Sequence, residues 1–235
     1  MPDPSANAWA KLNRDITRCR TCPRLTAWRE QVAREKRRAF QDQTYWGRPV
    51  PGFGDPDAAV VVIGLAPAAH GANRTGRVFT GDRSGDWLFR ALHKAGLANQ
   101  PESTGREDGL RLSDVYISAF VRCAPPANQP TPAERDACFP FLLREASLLR
   151  QVRVIVCLGK FAWDGTLTLL KRQGKTWKKK PVFGHGAVAD LEGVCLIGSY
   201  HPSQQNTFTG RLTEPMFNAV FAQAIQCVQA GGRKP

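Results

Sequence analysis

One stretch constrains this chain more than any other: VVVIGLAPAAHGANRTGRVFTGD, residues 60–82. It opens on an apolar, β-branched run with the composition of a strand buried on both faces. The chain then breaks at Gly64 and Pro67 into a loop of small residues. That loop is punctuated by Gly71, Gly76 and Gly81 and carries His70, Arg74, Arg77, Phe79 and Asp82. A helix pattern follows, with Ser84 ahead of Asp86, Trp87, Leu88, Ala91, Leu92 and Ala95. Strand, small-residue loop and helix in that order place the loop where ligands bind in open α/β sheets. The glycine spacing matches neither G-x-G-x-x-G nor a G-K-[ST] phosphate loop, so something other than a nucleotide pyrophosphate is expected there.

The same pattern recurs along the chain. Trp9, Leu12 and Ile16 give residues 6–18 helical spacing, and this segment ends at Cys19-Arg-Thr-Cys22-Pro23. Residues 24–57 read as a helix followed by an irregular, Pro- and Gly-bearing approach to a first core strand at 58–64. After a polar stretch, a second strand is expected over 115–121, running into Arg122-Cys123-Ala124-Pro125-Pro126. Thr131-Pro132-Ala133-Glu134 is a capping box with proline at the first helical position, and Pro140 is expected to kink that helix or start another. A third strand (151–158), its helix (161–172), a fourth strand (194–199) ending in Tyr200-His201-Pro202-Ser203, and a last helix over about 213–230 complete the alternation.

Alternating strands and helices with right-handed crossovers predict a three-layer α/β/α sandwich on a central, mostly parallel four-stranded sheet. The 235 residues suit a single domain, with the cysteine-bearing segment 1–57 packed onto the α/β core. In that arrangement the loops after the first, second and fourth strands gather at one sheet edge, where His201, Asn128, Asp82 and Phe79 can meet.

Thirty-three Lys and Arg against 20 Asp and Glu leave a charge of +13, which favours a polyanionic partner, most simply nucleic acid. Residues 34–38 and 175–180 are local basic patches, and Trp177 in the second could pack on a backbone or a base. No apolar run is long enough for a membrane span, and the N-terminus MPDPSANAWAK lacks a leader's apolar centre, so a cytoplasmic, monomeric protein is expected. Seven cysteines in such a chain are not a disulfide framework. Cys157, Cys195 and Cys227 lie in apolar elements and read as packing residues. Cys19, Cys22, Cys123 and Cys138 lie in or beside loops, where four thiolates could hold zinc or an iron–sulfur cluster; spacing alone leaves the metal open.

Three segments carry a family resemblance: GLAPAAHGANRTGRVFTGDRSG (64–85), VRCAPPANQPTP (121–132) and HPSQQNTFTGRLT (201–213). In that order they closely resemble the motifs of the B-type, family-5 bacterial uracil-DNA glycosylases, and the match extends over nearly the whole chain. The resemblance implies a four-iron, four-sulfur cluster on Cys19, Cys22, Cys123 and Cys138. It also implies hydrolysis of the N-glycosidic bond of uracil and other damaged bases in DNA, double- or single-stranded. Gly64, Leu65, Ala66, Ala68, Phe79 and Ala119 would then face the base, and Arg74, Arg77, Ser203, Gln205 and Arg211 the DNA.

Removing a base requires swinging it from the stack, gripping it, and stabilising charge as the bond to the sugar breaks. His201 can donate a hydrogen bond to the base oxygen where negative charge grows. Phe79 can offer its ring face to the base. Asp82 can orient water or offset the sugar's positive charge, with helix capping as the rival role. Asn128 supplies both a donor and an acceptor. Family-1 relatives carry aspartate where this chain has Ala66, and family-4 relatives carry glutamate at Leu65 and asparagine at Ala119, so the water-related role falls here to Asp82 and Asn128. One of Gln204, Gln205, Asn206 and Arg211 would fill the gap left by the base. No lysine is placed as an amine nucleophile, which favours water attack without strand cleavage. Two other readings are a non-catalytic, metal-stapled nucleic-acid-binding protein, suggested by Leu65, Ala66 and Ala68, and an unrelated nucleotide hydrolase, opposed by the missing phosphate loop.

Overall fold

The computed structural model describes residues 4–231. The first three residues of the N-terminal stretch read against a leader lie outside the described residues. A single sheet runs through the molecule, built on four parallel strands: β2 (Val60–Gly64), β3 (Val115–Ala119), β4 (Val154–Leu158) and β6 (Val194–Ser199). Two antiparallel edges extend it, β1 (Phe53–Gly54) on β3 and β5 (Val188–Leu191) on β6, giving the order β1-β3-β2-β4-β6-β5. The edge strands escape sequence reading because β1 is two residues long and β5 is largely exposed, so neither shows a buried run.

Strand alternation explains why both faces are covered. Val60, Val62, Val154 and Val156 point into one core with α4 (Arg83–Lys94) and α8 (Glu214–Gly231). Val61, Ile63, Ile155 and Cys157 point into the other, with α1 (Pro4–Arg18), α5 (Pro132–Leu148) and α6 (Lys160–Arg172). The helix after β2 therefore lies on one face and the helix after β4 on the opposite face, which opens a crevice at the carboxyl ends of these neighbouring strands.

The N-terminal segment is tied on from two sides. Leu12 and Ile16 of α1 are buried against the second core, and the Trp9 ring lies 5.2 Å from Tyr116. Helix α2 (Pro23–Glu35) is fastened to the capping box of α5, where Arg24 Nε donates to Glu134 Oε1 at 2.8 Å. Beneath the end of β3, the buried Arg122–Glu145 pair (2.5 Å) is joined by hydroxyls of Ser118 and Tyr116, so the carboxylate is fully partnered.

Two expectations change. Of the two outcomes expected at Pro140, the start of a second helix does not occur: α5 runs as one helix from Pro132 to Leu148, its buried face holding Cys138, Phe139, Leu142 and Glu145. Tertiary packing outweighs the one backbone hydrogen bond that proline removes. Trp177 is half-buried against the second core rather than presented from its basic loop. Of the three packing cysteines, Cys157 is fully buried, while Cys195 and Cys227 are half-buried and meet each other, Sγ to Sγ 2.6 Å.

Candidate active site

The loops after β2, β3 and β6 enclose a cleft of about 530 Å³. Leu65, Ala66, Ala68, Phe79, Asp82, Asn128, His201, Ser203 and Gln205, all expected from the sequence, line it. The post-strand loops are held together by Phe120 N–H to Gly64 O at 3.1 Å and Val121 N–H to Leu65 O at 2.9 Å, prolonging the β2–β3 pairing past the strands.

Phe79 sits at φ +53°, an unfavourable backbone region for a bulky residue. Two glycines make that geometry possible. A Cβ on Gly64 would lie 2.7 Å from the Phe79 ring, and one on Gly85 would lie 1.7 Å from the Phe79 carbonyl oxygen. Gly64 thus acts by seating the ring and does not line the cleft. The ring is buried on its flank, lines the cleft, and lies 6.0 Å from the His201 imidazole, with 30° between the two planes.

His201 follows β6, and Asn206 Nδ2 donates to its carbonyl oxygen at 2.8 Å, so the turn is braced from within. Ser203 caps the short helix α7 (Gln204–Phe208). Burial pulls the His201 imidazole down to about 4, leaving it neutral at ordinary pH. A neutral ring donates one N–H and accepts at the other nitrogen.

Asp82 performs the capping role and lines the cleft as well. Its Oδ1 accepts from Gly85 N–H at 3.0 Å at the start of α4, while a Cβ on Gly71 would lie 2.1 Å from Oδ2. Burial raises its pKa, against the lowering influence of the cap's N–H groups, and this makes the carboxylate a better proton acceptor. Asn128 ends a turn in which Ala127 and Asn128 both have positive φ, +52° and +56°, presenting an exposed amide at the rim.

Several expected positions lie elsewhere. Arg74 and Arg77 are buried and turned inward, which corrects their assignment to the DNA surface. Arg74 donates to His70 O, Gly81 O and Gln43 Oε1; Arg77 pairs with Asp108 at 2.7 Å and stacks over Phe53. Both guanidiniums fold the loop that carries Phe79. Ala119, 3% exposed, pairs in register with Gly64 inside the first core and does not reach the cleft wall. Arg211 is exposed, stacked over Tyr200 at 4.6 Å, outside the cleft lining. Gln204, expected from the sequence only as a residue to fill the gap left by a base, lines the cleft, and so does Arg83, whose only sequence signal is adjacency to Asp82.

Cys19, Cys22, Cys123 and Cys138 line one small, mostly apolar hollow between α2 and α5. Arg29 donates to Cys123 Sγ at 2.8 Å and Arg122 N–H to Cys138 Sγ at 3.3 Å. Burial pushes the Cys123 thiol up to about 11 and Cys138 to about 12. Among the described residues no three Cys, His, Asp or Glu side chains close around a single ion. Ala66 packs against Leu25, Val121 and Cys123, so the cysteine hollow and the cleft share a wall.

A planar ring face, a neutral imidazole, a carboxylate and an amide thus surround a space whose wall is apolar along Leu65, Ala66, Pro67, Ala68 and Val78 and polar along Arg83, Ser84, Ser203, Gln204 and Gln205. The arrangement suits a flat heterocycle whose oxygen takes up charge. The profile of the Uracil DNA glycosylase superfamily matches residues 51–225. The chain is 57% identical over 221 residues to the Type-5 uracil-DNA glycosylase of Mycobacterium tuberculosis, covering 93% of this chain and 81% of that protein. It is 53% identical over 210 residues to the Type-5 uracil-DNA glycosylase of Thermus thermophilus (89% and 93%). To the Type-4 uracil-DNA glycosylase of Archaeoglobus fulgidus it is 33% identical over 159 residues (66% and 70%).

Proposed function

The chain belongs to the uracil-DNA glycosylase superfamily, and from that membership we propose that it is a DNA-repair hydrolase that removes uracil from DNA and leaves an abasic site. The convergence of Phe79, His201, Asp82 and Asn128 on one cleft carries this reading and weighs against a merely binding protein. The base, swung out of the stack, lies against the Phe79 ring. As the glycosidic bond breaks, the bonding electrons leave with the base and the sugar becomes oxocarbenium-like. The neutral His201 imidazole donates to the base oxygen where the anion forms, an interaction stronger in the transition state than before it. Asn128 holds a water at the rim. Asp82 offsets the sugar charge and takes the proton as the water oxygen bonds to the sugar carbon; the departing base is protonated from solvent.

The partner is DNA, drawn in by the +13 charge and contacted by Ser203, Gln205 and Arg211 around the cleft. The protein acts as one unit and as a monomer. A four-iron, four-sulfur cluster held by Cys19, Cys22, Cys123 and Cys138 is supported by the four thiols lining one hollow and by the N–H groups aimed at two of the sulfurs. Bound there, it would serve as a staple between the N-terminal segment and the wall of the cleft. The substrate range extends to other deaminated or damaged bases.

The test is incubation with a uracil-containing duplex followed by alkali, which cleaves abasic sites. Strand cleavage only after alkali supports a glycosylase without lyase activity. Intact strands at enzyme excess, with binding retained, would instead favour the non-catalytic reading.

A further inference from the structure

A base that leaves the stack leaves a gap, and none of the four side chains first considered for filling it is well placed. Asn206 is tied to the His201 carbonyl, Arg211 is stacked on Tyr200, and Gln204 and Gln205 line the cleft itself. The next residue on the same short helix that stands out is Phe208, 67% exposed at its C-terminal end. The Arg83 guanidinium lies 4.4 Å over its ring, and Arg83 belongs to the opposite wall of the cleft, one residue past Asp82. We propose that Phe208, backed by Arg83 across the mouth of the cleft, is the wedge that enters the DNA stack when the base is extruded.

Phe161 has a comparable partner in Arg135, but that ring is only 40% exposed and lines a separate hollow with Phe120 and Phe139. Among the described residues, Phe208 alone joins the high exposure of a large hydrophobic side chain to a position on the helix that borders the cleft. An aromatic ring suits the gap because every base offers it a π-face, whatever the sequence. Arg83 adds the charge complementarity that a phosphate-lined duplex requires. Its guanidinium is exposed and forms no ion pair among the described residues, so it can turn to a phosphate as the ring enters.

This proposal rests on the glycosylase reading and is tested so that the two can fail separately. Single-turnover excision is compared on duplex U·A and on single-stranded uracil DNA for wild type, Phe208→Ala, Phe208→Trp and Gln205→Ala. A wedge matters only where a stack must be held open, so Phe208→Ala should lose about tenfold or more on the duplex and less than about twofold on the single strand. Phe208→Trp should recover most of the duplex rate. A parallel duplex carrying a stable abasic analogue beside 2-aminopurine should change fluorescence on binding wild type, and less on binding Phe208→Ala. Equal losses on both substrates, no loss on either, or a duplex-specific loss in Gln205→Ala alone would overturn the assignment. If the wild type excises from neither substrate, the glycosylase reading fails, and the fluorescence comparison still decides whether Phe208 enters the gap.

Discussion

At His201 the surrounding wall does two things at once: it keeps the ring neutral and places it 6.0 Å from the Phe79 ring, where a flat base can contact both. His201→Ala is therefore expected to lower the single-turnover rate on the order of 10²-fold, as loss of one oxyanion donor does, with little change in DNA affinity. A rate within about threefold of wild type would remove it from the chemistry. The depressed pKa has a stability consequence. The folded group binds its proton near 4 and the unfolded one near 6.5, so its contribution is complete above about 6.5 and is lost as pH falls toward 4. Urea melts of wild type and His201→Ala should therefore diverge in their pH slope across that window and run parallel above it. Parallel slopes throughout would contradict the depressed pKa.

At the scale of elements, the cysteine hollow couples α2, the end of β3 and α5. Arg24–Glu134 and the Arg29 contacts join the same three pieces, and Ala66 on the cleft wall packs on Cys123. A staple at this junction should act on folding before it acts on chemistry. Cys123→Ser is expected to lower the iron content and the melting temperature of anaerobically prepared protein, with any loss of rate following the loss of folded protein. Zinc in place of iron in the wild type would overturn the cluster, and unchanged melting would overturn its role as a staple.

Across the whole molecule, the loop after β2 lines the cleft with the apolar side chains of Leu65, Ala66 and Ala68, which cannot be left with unpaired side-chain hydrogen-bonding groups when a different base enters. Each such mismatch would otherwise cost about 1–3 kcal/mol. With a cleft of about 530 Å³, hypoxanthine should be excised alongside uracil, selection leaning on how easily the base leaves the stack. Single-turnover rates on the two lesions opposite each base check this. Uracil excision with none for hypoxanthine, even at enzyme excess, would show that the cleft discriminates by contacts the apolar wall does not suggest.

The sequence by itself determined the four parallel strands, the helices between them, the capping box at Thr131 and the loops that meet at the cleft. These are written in local periodicity and turn chemistry, which act over a few residues. It also placed Phe79, Asp82, Asn128 and His201 in the loops that follow strands, and so within reach of one another. Only the tertiary structure decided which way side chains turned. Arg74 and Arg77 look cationic and available in the chain, yet their partners are Gln43, Gly81 and Asp108, brought near by folding. Ala119 has the same character, since one residue's difference along a strand separates a core position from a cleft wall. The left-handed backbone of Phe79, the survival of α5 through Pro140 and the exposure of Phe208 are likewise outcomes of packing. Local rules state a cost for the first two and nothing about the third; the neighbours that meet the cost, or leave a ring uncovered, exist only in the folded molecule.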